Sequence, residues 1–248
     1  MPRQARKRSN TQIYHVMLRG INQQQIFEDN EDYAKFIQVI RDCKSLSGFQ
    51  LFAYCLMGNH IHLLLKETNE PIEQIFRRIG SRYVYWYNVK YQRVGHLFQD
   101  RFKSEPIETN EYFLTVLRYI HQNPIKAELC KKIEEYPYSS YGQFLEISDV
   151  IDSEFVFNII SQDDFIAYHN KIANDICLDI ETTSLVRMTD EQARKIIEKY
   201  SKCKSVADFQ ALSIAQRDKF LKVFKDKGLS IRQISRLTGV SFNIVRKF

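Results

Sequence analysis

The residues best suited to chemistry begin with His60 and His62. They follow Gly58-Asn59, a dipeptide that favours a tight turn, with Tyr54-Cys55-Leu56-Met57 before it and Leu63-Leu64-Leu65 after it. This pattern predicts two adjacent strands, the second beginning near His60. Alternation along a strand puts His60 and His62 on one face, roughly 7 Å apart from two rises of about 3.4 Å, while Ile61 turns into a core. One divalent ion can bridge that gap, and two imidazoles leave most of its coordination open to oxygens, including those of a phosphate. The same pair would also serve as half-buried histidines at a sheet edge. Further along, Tyr119 and Asn123 are four apart on a predicted helix and share a face. If that helix meets the histidines, Asn123 could supply a third ligand through its amide oxygen. The Tyr119 hydroxyl could then attack a phosphorus and become covalently linked to it. Free tyrosine ionises only near about pH 10, so a neighbouring cation would be needed to activate it. A helical tyrosine is equally at home in a core, and nothing in the spacing brings the helix to the histidines.

The elements that must position these groups follow from hydrophobic periodicity. Ile13 to Gly20 reads as a strand, and its His15 either joins the histidine pair or is an ordinary sheet residue. Helical spacing from Asp29 to Ser47 ends at Gly48, and a strand begins at Phe49. Pro71 opens a second helix running to about Tyr91, and a short strand runs from the turn at Gly95 towards Glu108. Thr109 or Asn110 caps the third helix, which should weaken before Pro124 because the residue before a proline is pushed out of the helical region. The order predicts an α+β fold with helices on one face of an antiparallel sheet.

Composition narrows the class. The 248 residues are 44% hydrophobic, ample for a main domain and a smaller companion, and no apolar run approaches the ~18 residues of a membrane span. The N-terminus lacks the apolar run of a signal peptide, and five scattered cysteines without a Cys-x-x-Cys pair suit a reduced, cytoplasmic protein rather than a zinc or disulfide framework. Charge is segregated. Residues 1–130 carry 18 Lys+Arg against 13 Asp+Glu, residues 131–186 carry 3 against 11, and residues 187–248 carry 15 against 6. Two basic blocks around an acidic stretch suggest two DNA-facing units with a spacer.

Candidate DNA contacts follow from that charge. Arg3, Arg6, Lys7 and Arg8 form an N-terminal arm, expected to be mobile when free and to hold phosphates when bound. Arg77, Arg78 and Arg82 share a helix with Tyr83, Trp86 and Tyr87, a mixture able to stack bases and pair phosphates. Arg101 and Lys103 alternate with Phe102 on the short strand. At the C-terminal end, residues 229–246 resemble a helix-turn-helix, with Gly239 at the turn, Ile231, Ile234, Leu237, Val240 and Val245 in the core, and Ser241, Asn243, Arg246 and Lys247 facing DNA.

Taken in order, several of these stretches resemble the REP-associated tyrosine transposases, cousins of the single-tyrosine HUH transposases of bacterial insertion sequences. They are Tyr14-His15-Val16 with Arg19-Gly20, then Tyr54 to His62, then Gly95 to Lys103. Arg118-Tyr119-Ile120-His121-Gln122-Asn123-Pro124 and Tyr136-Pro137-Tyr138-Ser139-Ser140-Tyr141 close the run. The likeness covers residues 1 to about 145. It implies a ferredoxin-like HUH nuclease domain over 1–145, while charge and apolar pattern beyond it suggest an acidic helical spacer over 146–186 and an all-α domain with the helix-turn-helix over 187–248. It implies Tyr119 as nucleophile, His60, His62 and Asn123 as metal ligands, and Mg2+ or Mn2+ as the ion. The implied reaction cuts and rejoins single-stranded hairpin DNA through a 5′-phosphotyrosine, by a monomer or a homodimer. The C-terminal domain would bind duplex DNA, and no membrane is involved. The rivals are a catalytically inactive DNA-binding regulator derived from such a transposase, and a nuclease in which water attacks.

Overall fold

The computed structural model describes residues 6–145, 149–171, 175, 177–178 and 188–248. Four antiparallel strands form one sheet: β1 (Ile13–Arg19), β2 (Gln50–Met57), β3 (His60–Lys66) and β4 (Lys103–Pro106), in the order β2-β3-β1-β4. Helix α1 (Asn30–Ser47) connects β1 to β2, α2 (Ile72–Lys90) connects β3 to β4, and α3 (Asn110–Lys126) follows β4. This is the βαββαβ order of ferredoxin-like folds, with α3 added. Every residue from Leu51 to Met57 and from Ile61 to Leu65 is buried. Successive strand residues point to opposite faces, so the sheet is covered on both sides rather than the one that was expected. The near-continuous apolar runs of β2 and β3 are what two-sided burial requires.

The two-residue turn between β2 and β3 forms as expected, with the Gln25 side chain lying against Gly58. Neither Gly58 nor Asn59 has a positive φ. The loop after β1 folds over the turn, with Ile26 N–H donating to Gly58 O at 2.8 Å and Gly20 N–H donating to Asn59 O at 2.9 Å. A Cβ on Gly58 would meet Gln25 Oε1 at 2.3 Å. This clasp holds the start of β3, and therefore His60, against the loop.

Local signals set the helix ends. Asp29 and Asp32 form a capping box at the start of α1, which ends at Gly48 in the left-handed region (φ 69°). Thr109 caps α3 by accepting from Tyr112 N–H. The end of α3 differs from expectation, because the helix runs through Pro124 to Lys126. Pro124 lies in the last turn, where it forfeits only its own N–H bond, and Ala127 N–H still reaches Asn123 O at 3.0 Å. Asn123 therefore stays helical and keeps its place on the Tyr119 face.

The described part of the expected acidic spacer is not a spacer. Helices α4 (Ser153–Phe157) and α5 (Gln162–Asn170) belong to the first of two compact units, Met1–Thr182 and Thr183–Phe248. Val150, Ile151, Val156 and Phe165 are buried in the same core as the sheet, while Asp163 and Asp164 stay exposed. The acidic count of this stretch described its outer face and hid the apolar inner one. The second unit contains α6 (Asp190–Ser201), α7 (Val206–Gln210), α8 (Ile214–Asp226), α9 (Ile231–Thr238) and α10 (Phe242–Val245). Its separate core includes Phe209, Leu221, Phe224, Ile234 and Val245.

A chain of neutral hydrogen bonds fastens α5 to α3. His169 Nδ1–H donates to Phe165 O at 2.8 Å, so its Nε2 accepts from His121 Nδ1–H at 2.9 Å. His121 Nε2 then accepts from Ser140 Oγ at 2.9 Å. Burial holds the His121 pKa well below the usual histidine value, and burial with the charge of Arg118 brings His169 down to about 4. Unfolded histidine takes a proton near about pH 6.5, which the folded chain refuses until lower pH. Stability is therefore complete above pH 6.5 and falls as pH drops towards 4, by ~3 kcal/mol for His169 alone. Denaturant midpoints of the intact protein should decline steadily from pH 7 to 4.5. A flat profile would contradict this account of the buried pair.

Candidate active site

Register brings the histidines together with a third. On β3, His62 lies opposite Met17 of β1 and Cys55 of β2, while His60 lies opposite Arg19 and Met57. His15, two residues before Met17, is a diagonal neighbour of His62 on the same face. The His60 and His62 rings are 5.1 Å apart, and those of His15 and His62 are 5.2 Å apart. The helix that had to meet them does so. The Tyr119 ring lies 5.8 Å from His62 and 6.0 Å from His15. His15, left open by its sequence, is thus a member of the cluster.

The electrostatics of the cluster keep His62 neutral. His62 is wholly buried, and burial followed by the nearness of His60 and His15 holds its pKa well below the usual value. His60, less buried, has its Nδ1 2.7 Å from Asn59 Oδ1, a bond that places the proton on that nitrogen and makes Nε2 the basic one. Two buried polar atoms lack any hydrogen-bond partner here: His62 Nε2 on β3 and, one turn beyond Tyr119 on α3, the amide Nδ2 of Asn123. Native cores pair most such groups, so these two atoms, on the strand and the helix that carry the candidate residues, are available to a ligand. A half-turn of the Asn123 amide exchanges its donor and acceptor ends, so it can offer oxygen there. Two imidazole nitrogens and an amide oxygen fit a divalent ion. Among the described residues, no group of three or more His, Cys, Asp or Glu side chains is arranged to hold a metal, so a site here depends on Asn123.

Sequence reasoning missed Lys126 and Glu105. Lys126, two turns beyond Tyr119 on α3, places its Nζ 4.5 Å from the centre of the Tyr119 ring and 3.3 Å from Asp175 O. A cation at that distance is attracted by the electron-rich face of the ring. The signal for Lys126 was its seven-residue spacing from Tyr119, legible only once the helix was known to pass Pro124. Glu105 accepts from His15, and β4 pairs it directly with His15 across the sheet. Arg118, beside Tyr119, is held in a bidentate pair by Asp175 at 2.8–3.1 Å.

The expected DNA contacts divide by what they touch. Arg6 lies 3.7 Å over the Phe102 ring and donates to Phe102 O at 2.9 Å, while Arg8 pairs with Glu73 at 3.3 Å. The described part of the arm is thus docked on the domain, and Arg3 lies outside the described residues. Lys7, Arg101 and Lys103 are exposed beside it, and β4 is shorter than expected, so Arg101 precedes the strand. On α2, Arg77 and Arg82 are exposed. Arg78 is engaged within the protein instead, because Glu70 grips its guanidinium at 2.7 and 2.9 Å and Ser47 Oγ also accepts from it. In the second unit, Ser241, Asn243, Arg246 and Lys247 are all exposed on or beside α10.

An unpaired buried amide costs about 1–3 kcal/mol, so a site residue of this kind should be replaceable without loss of stability. Asn123→Leu is expected to leave the metal-free unfolding free energy unchanged or to raise it by up to ~1 kcal/mol. A loss above ~1 kcal/mol in a denaturant titration would mean that the amide is structurally bonded.

Residues 8–123 match the family model described as "Transposase IS200 like". No curated protein matches the chain in sequence. Among solved structures, the chain resembles a REP-associated tyrosine transposase bound to a REP hairpin, with a TM-score of 0.52 at 17% identity over 61% of this chain and 94% of that one. A candidate transposase from Deinococcus radiodurans aligns over 49% of this chain and 97% of its own at 17% identity, and its TM-score of 0.35 carries no weight. The first of these likenesses supports the fold alone. The histidine pair and Tyr119 both lie within the stretch that the family model matches, and Asn123 is its last residue. Over residues 8–123, just under half of its length, this chain is similar to the IS200-like transposase family.

Proposed function

We propose that the first unit cuts and rejoins single-stranded hairpin DNA, as a REP-associated tyrosine transposase, with Tyr119 as the nucleophile. The observation that carries this reading is the meeting of Tyr119, from a distant helix, with the His60 and His62 pair, with His62 Nε2 and, one turn along that helix, Asn123 Nδ2 buried and unpaired. The Tyr119 oxygen attacks a phosphorus of the DNA strand. As the new Tyr–O–P bond forms, the bond to the 3′ oxygen breaks, leaving a 5′-phosphotyrosine and a 3′-OH that takes up the proton Tyr119 loses. One phosphodiester replaces another, so attack by the 3′-OH rejoins the strand with no external energy source. His60, His62 and Asn123 would hold a Mg2+ or Mn2+ ion, which when bound polarises the phosphodiester. The solved relative that holds a REP hairpin supports a hairpin as the substrate. Arg6, Lys7, Arg8, Arg101 and Lys103 would follow its backbone, and Arg77 and Arg82 the single strand.

For the second unit we propose duplex binding by a helix-turn-helix made of α9 and α10. Support comes from Gly239 in the left-handed region (φ 71°) between the two helices, from the buried Ile234, Leu237, Val240 and Val245, and from the exposed polar residues of α10.

Two experiments test these readings. Wild type and Tyr119→Phe are incubated with labelled hairpin DNA, with and without Mn2+, and run on a denaturing gel. A metal-dependent protein–DNA band is expected in the wild type alone, with hairpin affinity equal in both. Cleavage without the band would favour water attack, and binding without cleavage would favour a regulator. For the second unit, Arg246→Ala with Lys247→Ala should weaken duplex binding and flatten the slope of log K against log salt by about 1 per lost phosphate contact. An unchanged slope would remove α10 from the interface.

A further inference from the structure

The hydrogen bonds behind His62 form a directional chain that starts at a carboxylate. His15 and Glu105 face one another across β1 and β4, and Glu105 Oε1 lies 2.7 Å from His15 Nδ1. The backbone N–H of Leu178 donates to the same oxygen at 3.0 Å. On its far side, His15 Nε2 lies 3.0 Å from His62 Nδ1. Both nitrogens of His15 are therefore occupied, and the residue is fully buried.

We propose that Glu105 and His15 are positioning residues that fix the tautomer of His62 and aim its Nε2 lone pair into the active site. The inference rests on the reading of His62 as a metal ligand. A carboxylate can only accept, so His15 must carry a proton on Nδ1, and with His15 as the neutral imidazole of this proposal its Nε2 can only accept. The bond between the rings must then be donated by His62 Nδ1–H. That leaves the His62 lone pair on Nε2, the atom that is buried without a partner. Burial works to raise the Glu105 carboxyl, but bonds from His15, Leu178 N–H and Tyr112 outweigh it and keep the pKa below the ordinary carboxylate value. The group at the head of the chain is thereby kept an acceptor.

Asn59 does the same for His60 over a single bond, so both histidines have Nδ1 occupied by protein. His15 is excluded as a ligand itself because no nitrogen remains to it. A purely structural histidine would need no such direction, since any chain of donors that closed on itself would satisfy the core. This one ends on an open nitrogen 5.8 Å, ring centre to ring centre, from the proposed nucleophile. Such outer partners change metal affinity by about 10–100-fold when removed from a metal-binding histidine.

The test uses the full-length protein and two readouts. Long-range 1H–15N spectra of the metal-free protein report the His62 tautomer, and calorimetry with Mn2+ alone reports affinity. Wild type should show His62 protonated on Nδ1. Glu105→Ala, at a half-buried position, should lose that single tautomer and bind Mn2+ about 10–100-fold more weakly, while Glu105→Gln, which keeps an acceptor oxygen, should stay within about threefold of wild type. His15→Phe should match Glu105→Ala if it folds. His62 protonated on Nε2 in the wild type, or Glu105→Ala binding Mn2+ like the wild type, overturns the proposal. His62→Ala separates this failure from failure of the ligand assignment. If that variant, or the wild type, shows no His62-dependent Mn2+ binding, the ligand reading falls and the relay falls with it. If only Glu105→Ala is silent, the relay alone is wrong.

Discussion

The register of β3 between β1 and β2 is the constraint on which the site depends. A strand repeats every two residues, so His60 and His62 face α3 only while Ile61 faces the core. A slip of one residue would turn both imidazoles away from Tyr119 and bring Ile61 into the site. The slip is opposed on both sides of the strand. Leu63, Leu64 and Leu65 are buried against two neighbouring strands, and the clasp of Gly20 and Ile26 on the 58–59 turn fixes where β3 begins. Register also places His15 opposite Glu105 on one side and diagonal to His62 on the other. One geometric choice thus sets both the site and the residues behind it.

The chemistry then works against the stability of its own scaffold. His62 is buried neutral, and two polar atoms in the site have no partner. The compensation comes from outside the βαββαβ core. Residues 149–171 lay apolar side chains into it and, with Asp175, bind the second half of α3. His169 takes His121, Gln122 donates to His169 O at 2.8 Å, and Asp175 takes Arg118. Tyr119 and Asn123 are interspersed among these anchored residues, so the helix that presents them is fixed along the segment where the site needs it.

Much of this was legible in the sequence where the pattern was local. The strand-turn-strand at 54–66, the cap at Thr109, the end of α1 at Gly48 and the start of α6 at Thr189 all depend on a few adjacent residues, and they form as those residues dictate. What escaped was non-local. The role of His15 depended on which strand paired with β3, and Glu105 carried no motif at all because its partner is 90 residues away. Pro124 misled because a rule about the preceding residue was applied to a helix whose last turn could tolerate it. Residues 149–171 misled because net charge reports the outer face of an element and says nothing of the inner one. Arg78 was assigned by its sign, and its partner Glu70, eight residues earlier, had already claimed it.

The most direct test of the account is the identity of the residue that carries DNA after cleavage. Trypsin cuts after Arg118 and after Lys126, releasing residues 119–126, a peptide with a single tyrosine. Mass spectrometry of the nuclease-trimmed, trypsin-digested wild-type reaction with Mn2+ should find a nucleotide phosphate on that peptide and on no other. A nucleotide on the peptide containing Tyr112, or on those of the α2 tyrosines, would contradict the assignment of Tyr119. No modified peptide from a reaction that has cut the DNA would contradict covalent catalysis altogether.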